Sequence, residues 1–320
     1  MHLSNGVILD KSSLDRGDLD FSCLDSLVEN WQTFESTQAE NTLSRIENAD
    51  IIITNKVVIN AQMMKQAKKL KLICIAATGT NNVDLNAAKE NNIVVCNVTA
   101  YATASVVQHV FTLILALQTH LLEYVKLVQN NVWDQSKHFC LLNYPITELS
   151  GKTLGIIGFG ELGKAVANAA SAFGLKVIVA QSLTGNLKPN RVELNELLAQ
   201  SDILSLHCPL TAETENLINQ QTLALMKPSS ILINAARGGV VNEADLLYAL
   251  QHKVIAAAGI DVLHQEPPNN NALIQAQLPN LIITPHIAWA SQASRQRLVD
   301  QICDNIKAYL SNSNRNQVNN

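Results

Sequence analysis

No two of the six cysteines form a CxxC pair: Cys23, Cys74, Cys96, Cys140, Cys208 and Cys303 are scattered along 320 residues. That spacing gives no support for a metal site or a redox centre. Most of them sit inside apolar runs such as LICIAA and IVVCNV, where a reduced thiol behaves as a small hydrophobe. Blocks of like charge are also missing, with charged residues at 16% and a formal net charge of -4. Phosphate contacts need clustered Lys and Arg, so nucleic acid is not an expected partner. The N-terminal MHLSNGVILD lacks the basic and apolar regions of a signal peptide. The longest apolar run, VFTLILAL at 110–117, is far short of the ~20 residues that a spanning helix needs. These shortages point to a cytoplasmic protein with no membrane partner. No repeat of fixed period and no low-complexity tract appears, apart from the polar tail SNSNRNQVNN, which is expected to fray.

What is present is an alternation. Hydrophobic residues make up 47% of the chain, ample for about two cores at roughly 100–200 residues per domain. In the first part, apolar runs at 7–10, 49–54, 71–77 and 93–98 read as strands, with helical stretches such as AQMMKQAKK between them. In the second part, runs at 152–158, 176–180, 202–208, 230–236, 256–262 and 281–285 do the same. Uninterrupted Val, Ile and Leu mean strands buried on both faces, the mark of parallel sheets in α/β folds. Residues 101–129 form one long helical pattern between the two arrays, with Val106, Val107, Val110, Phe111, Ile114 and Leu121 at helical spacing. A last helix at 291–310 would return to pack on the first domain.

The most specific local motif is LGIIGFGELGKAVA, a strand that runs into Gly158, Phe159, Gly160, Glu161, Leu162 and Gly163 and on into a helix. Gly158 suits the tight turn, Gly160 lets the backbone approach a pyrophosphate, and Gly163 lets helix and strand pack closely. The diphosphate would rest on the free N–H groups at the helix start. A second strand, KVIVA, follows on schedule. The acid that usually meets the ribose hydroxyls is missing: the strand ends at Ala180 and Gln181, and no acid precedes Glu193. Gln181 can bond a ribose without repelling a 2′-phosphate, and Lys188 and Arg191 lie near enough in sequence to meet one. NAD is the expected cofactor, and NADP stays open.

Ligands of open α/β sheets bind beyond the carboxyl ends of the strands. In the second array those ends carry Arg237, followed by Gly238 and Gly239, then Asp261, Glu266 and His286. An arginine with two glycines behind it suits a bidentate grip on a carboxylate. A carboxylate near an imidazole orients it and favours its charged form, so that the imidazole can donate a proton.

GFGELG, HCPLTAETENLI, LINAARGGVVNE, GIDVLHQEPP and TPHIAW occur in the order seen in the D-isomer-specific 2-hydroxyacid dehydrogenases, and the chain resembles that family from roughly Val7 to Leu310. ATGTNNVDLNAA, VCNVTAYATASVVQHVF and the tryptophan of PHIAW resemble its glycerate dehydrogenase (hydroxypyruvate reductase) branch. The resemblance implies two doubly wound parallel-sheet domains with a cleft between them. One is a flavodoxin-like substrate domain, 1–99 with 287–320, and the other a Rossmann NAD(P)-binding domain, 100–286. It implies reduction of a small 2-keto acid, hydroxypyruvate or glyoxylate, to the D-2-hydroxy acid. Arg237 would bind the substrate carboxylate, His286 would protonate the carbonyl oxygen, and Glu266 would pair with His286. The backbone around Thr78, Gly79 and Thr80 would meet the same carboxylate, with Asn55 lining the site. Thr103, Cys208, Pro209, Thr214, Ala235, Ala236 and Asp261 match positions that contact the cofactor, alongside Glu161 and Leu162 of the glycine loop. Trp289 would cover the site or reach a neighbouring subunit, and a homodimer is implied.

Six of the eight histidines, His2, His109, His120, His138, His207 and His252, read as structural. His264, two residues before Glu266, competes with His286 but lies on a loop, while His286 fits the family motif. Arg237 has Glu243 as a candidate structural partner. Two other functions remain. Oxidation of 3-phosphoglycerate would need extra cations in the first-domain loops, where only Lys56 is offered. A nucleotide-sensing binding protein could keep the same three residues, but the chain carries no long docking segment.

Overall fold

The computed structural model describes residues 2–183 and 188–319; Asn320, the end of the polar tail, lies outside them. The chain divides into two compact units, Met1–Ala102 with Ala290–Asn320, and Thr103–Trp289. The breaks thus fall at 102/103 and 289/290, against 99/100 and 286/287 in the sequence reading.

The first unit holds β1 (Asn5–Ile8), β2 (Asn30–Thr33), β3 (Ile51–Thr54), β4 (Leu72–Ile75) and β5 (Val94–Cys96), paired in the order β2-β1-β3-β4-β5. Every pairing is parallel. β3 and β4 are buried along their whole length, as continuous apolar strands must be when helices cover both faces. β2 has no counterpart among the expected strands. Its sequence is NWQT, and as a mostly exposed edge strand it needs no apolar run.

Two expectations fail in this unit. The tail is docked rather than frayed: the Val318 N–H donates to the Val95 carbonyl, and the Asn319 side chain bonds both Val95 N–H and Ile93 C=O at the free edge of β5. Cys23 and Cys303 are joined in a disulfide, although 280 positions separate them. Local spacing carries no signal for such a pair. Beside it, Arg295 forks onto Asp18 at 2.8 and 2.7 Å, so the 14–24 segment is fixed to the helix Gln292–Leu310 by charge as well as by sulfur. The Arg295 guanidinium holds the Asp18 carboxyl down at about 2.

The second unit holds β6 (Thr153–Ile157), β7 (Lys176–Val179), β8 (Ile203–Leu206), β9 (Ile231–Asn234), β10 (Ala257–Ile260) and β11 (Leu281–Ile283), in the order β11-β10-β9-β8-β6-β7. All pairs are parallel, and a single parallel bridge from Ala180 to Val192 extends the β7 edge. The strand order reverses between β6 and β8, and in the first sheet between β1 and β3; such switch points open crevices at the carboxyl ends.

The long helix expected over 101–129 is broken. Helices Thr103–Gln118 and Leu121–Gln129 meet at 62°, because His120 takes a left-handed backbone conformation at φ 50°. The turn lets Tyr124 reach the Tyr144 backbone, where its hydroxyl donates to the carbonyl at 2.7 Å. Apolar spacing runs across the break unchanged, so periodicity could not reveal it. Among the described residues no single helix is long and apolar enough to cross a membrane.

Candidate active site

The turn after β6 is shaped by its glycines. Gly158 has φ 90°, and a Cβ there would lie 2.4 Å from the Cys208 nitrogen. A Cβ on Gly163 would lie 2.1 Å from the Gly158 carbonyl oxygen, so turn and helix touch backbone to backbone. Gly160 is the opposite case, with nothing within 4 Å of that position. It is also the N-cap of the helix Glu161–Ala172 and supplies no capping side chain, which leaves the first-turn N–H groups facing open space. A pyrophosphate fits that cradle. Leu162 is half-buried beside it. The Glu161 carboxylate, which would otherwise oppose an anion, takes a hydrogen bond from the Thr103 hydroxyl.

Other expected cofactor residues stand around the same sheet edge. The Gln181 side chain after β7 clips its own loop: its amide donates to the Lys188 carbonyl at 3.1 Å and its oxygen accepts the Lys188 N–H at 3.0 Å. The Arg191 guanidinium lies 5.5 Å from the centre of the Phe159 ring. After β8, Cys208 is buried, and burial pushes its thiol pKa up. Thr214 closes that loop by donating to the Pro209 carbonyl at 2.7 Å. Ala235 and Ala236 follow β9, where the Asn234 side chain accepts the Ala236 N–H and donates to the Arg237 carbonyl.

Arg237 is exposed just past β9 and donates from Nη1 to the Ala236 carbonyl at 2.7 Å. The glycine after it is required: a Cβ on Gly238 would lie 2.0 Å from the Leu263 carbonyl carbon, so this turn packs directly on the segment leading to Glu266. Among the described residues Arg237 forms no ion pair, and Glu243 is engaged elsewhere, accepting from His264 N–H and the Asn271 amide. The exposed His264 is held there by its backbone, and among the described residues its side chain forms no ion pair.

His286 and Glu266 come together. Nδ1 of His286 lies 2.6 Å from Oε2 of Glu266, and Oε1 accepts the Leu263 N–H at 2.9 Å. With Nδ1 engaged, the other ring nitrogen is the one free to face a reactant. Asp261, expected at the cofactor, turns its carboxylate into the loop that bears His286. Its two oxygens accept from Thr284 Oγ1 at 2.5 Å, Ile287 N–H at 2.9 Å and Ala288 N–H at 2.9 Å, with His109 Nε2 at 3.3 Å. Burial pushes its carboxyl pKa up, but the hydrogen bonds from His109, Thr284, Ala288 and Ile287 outweigh that and hold it below the ordinary value. His109 is the residue that sequence reasoning passed over.

In the first unit, Asn55 is buried at the end of β3. Its N–H donates to Asp10 Oδ1 at 2.9 Å, Lys56 N–H donates to Oδ2 at 2.7 Å, and the Asn55 amide donates to Ser13 Oγ at 3.1 Å. The loop after β4 carries Thr78, Gly79 and Thr80; Thr78 donates to the Val98 carbonyl and accepts the Asn97 amide on its own carbonyl at 2.8 Å. Asp10 and Asn97 thus hold the two candidate substrate loops, and nothing in their sequence surroundings marks them.

A doubly wound sheet with an open, uncapped helix start at its switch point, and an imidazole–carboxylate pair on the same edge, defines a dinucleotide-dependent oxidoreductase. Comparison with known proteins narrows the class. Residues 111–288 match the family model described as D-isomer specific 2-hydroxyacid dehydrogenase, NAD binding domain. The chain is 44% identical over 314 residues to glycerate dehydrogenase of Methylorubrum extorquens, covering 98% of each. It is 40% identical to hydroxypyruvate reductase of Blautia hydrogenotrophica, covering 98% of this chain and 99% of the relative. The crystal structure of the TT0316 protein from Thermus thermophilus superposes with a TM-score of 0.85 at 32% identity, over 98% of this chain and 99% of that one. The chain belongs to the D-isomer specific 2-hydroxyacid dehydrogenases. It is an NAD(P)-dependent enzyme of that family.

Proposed function

We propose that the protein reduces hydroxypyruvate or glyoxylate to D-glycerate or glycolate, with His286 as proton donor, Glu266 as its partner and Arg237 as the carboxylate anchor. The observation that carries this reading is the His286–Glu266 pair at the end of β11, in the same unit as an exposed arginine with no ion-pair partner among the described residues. When bound, the nicotinamide supplies the hydride. The chain's own part is to hold the acid by its carboxylate and deliver a proton to the carbonyl oxygen as negative charge develops there. Arg237 offers a planar fork that matches a carboxylate. The backbone of Thr78, Gly79 and Thr80, with Asn55, would meet the same group. Glu266 holds the imidazole in the orientation that presents Nε2. Gly158, Gly160 and Gly163, with the helix start after them, would seat the diphosphate, while Thr103 holds Glu161 aside. Ala235, Ala236, Cys208, Pro209 and Thr214 would line the nicotinamide end.

The missing ribose acid and the Gln181 clip leave both NADH and NADPH as donors, with NADH the first choice. We place the enzyme in the cytoplasm as a homodimer. Exposed Leu121, Val125, Val128, Trp133, Phe139 and Leu142 support the latter, since apolar surface on that scale commonly marks an interface. The experiment is direct: pure protein is mixed with hydroxypyruvate, glyoxylate or, in the reverse direction, 3-phosphoglycerate, each with NAD(H) and NADP(H), and absorbance is followed. Turnover of the first two supports the reading. Turnover of 3-phosphoglycerate alone, or nucleotide binding with no turnover, rejects it.

A further inference from the structure

We propose that His109 is a positioning residue for the proton transfer: it holds the turn that presents His286. This rests on reading His286 as the donor. The turn needs holding, because His286 sits at φ 54°, a left-handed backbone conformation that a residue with a Cβ adopts only when its surroundings enforce it. The fold supplies those surroundings. The His286 N–H donates to the Asp261 carbonyl at 2.8 Å, and the Asp261 carboxylate gathers the donors on either side of it, Thr284 Oγ1, Ile287 N–H and Ala288 N–H.

The helix Thr103–Gln118 closes this arrangement from one face. Ser105 and His109 are four positions apart, so their side chains point the same way. Ser105 donates to the Ala288 carbonyl at 2.7 Å, at the far end of the turn. His109 Nε2 lies 2.9 Å from Thr284 Oγ1, at the near end. The protonation of His109 follows from its neighbours. Thr284 has one hydroxyl proton and gives it to Asp261, so its oxygen accepts, and Nε2 of His109 must carry the hydrogen. The relay His109 to Thr284 to Asp261 then ends on a carboxylate whose side chain is fully buried. Such a group is under-compensated when a donor is lost. A turn released in this way would leave His286 in contact with Glu266 but aimed less well at a substrate, so the chemical step suffers and cofactor binding does not.

The test compares His109→Leu, which keeps the bulk and loses the donor, with His109→Gln, whose amide can replace Nε2–H. In the whole 320-residue chain His109→Leu is expected to lower kcat about 10- to 100-fold, as a small misplacement of a reacting group does. KM for NADH should stay within about twofold, since uniform binding is untouched. His109→Gln should restore kcat to within about threefold. Hydrogen exchange gives a readout that needs no turnover: the Ile287 and Ala288 amides should exchange faster in His109→Leu and as in the wild type in His109→Gln. If His109→Leu does not fold, Thr284→Val removes the relay hydroxyl and should give the same loss. Unchanged kcat and unchanged exchange in the leucine variant, or equal loss in both histidine variants, overturns the proposal. A wild type inactive on every keto acid would reject the proposed function instead, and the exchange rates would still decide the role of His109.

Discussion

Glu266 contacts His286 with one carboxylate oxygen, at 2.6 Å from Nδ1, and fixes its own position with the other, which accepts the Leu263 N–H. A carboxylate so placed orients the ring. Glu266→Gln keeps the shape and removes the charge. Its kcat for keto-acid reduction should fall about tenfold, since the ring loses the charged partner that orients it for proton transfer. Steady-state kinetics checks this; an unchanged kcat would mean that Glu266 is only a turn residue.

Arg237 is assigned to the substrate carboxylate. Arg237→Lys keeps the charge and loses the fork, and kcat/KM should drop roughly 100-fold, near 3 kcal/mol, with most of the change in KM for the keto acid. Steady-state kinetics at varied hydroxypyruvate reads this, and a change in KM for NADH alone would contradict the assignment.

His207 gives a stability prediction. Its Nε2 lies 2.8 Å from Ser205 Oγ, its Nδ1 is buried with no partner among the described residues, and burial pushes its pKa down to about 4. Between about pH 6.5 and 4 the unfolded chain therefore binds a proton that the folded chain refuses. Unfolding free energy should fall as pH drops through that window, by up to about 3 kcal/mol from this residue, and should be insensitive to it above pH 6.5. Denaturant midpoints at several pH values, compared with His207→Gln, isolate the contribution. A variant with the same slope as the wild type would refute it.

The disulfide adds a fourth expectation. Cys23→Ser should cost about 2–4 kcal/mol of stability. Asp18 and Arg295, and the exchange of bonds between Asp20 and Gln296, still hold the segment, so the folded form should persist. Thermal melting with and without a dithiol reductant measures it, and identical melts would show the bond to be dispensable.

Much of this molecule is legible in its sequence. The buried strands announce themselves as apolar runs, and β9, β10 and β11 are each followed closely by a residue of the candidate site, Arg237, Asp261 and His286, because parallel sheets present their carboxyl ends to ligands. β2 escapes because an exposed edge strand has no need of an apolar pattern. The break at His120 escapes because it leaves the helical spacing intact. The roles of Asp10, Asn97 and His109 escape for a deeper reason. Each acts by accepting or donating hydrogen bonds to a loop far away in the chain, and those contacts exist only after the sheet has set which loops are neighbours. His109 looks like any polar residue on a mostly apolar helix until the turn after β11 is laid against it.

The central claim is that His286 supplies the proton. Its most direct test is His286→Ala, assayed for NADH oxidation by hydroxypyruvate and, separately, for NADH binding by fluorescence. The account predicts at least about 100-fold loss of kcat with the NADH dissociation constant unchanged within about twofold. A variant that turns over at the wild-type rate would contradict it.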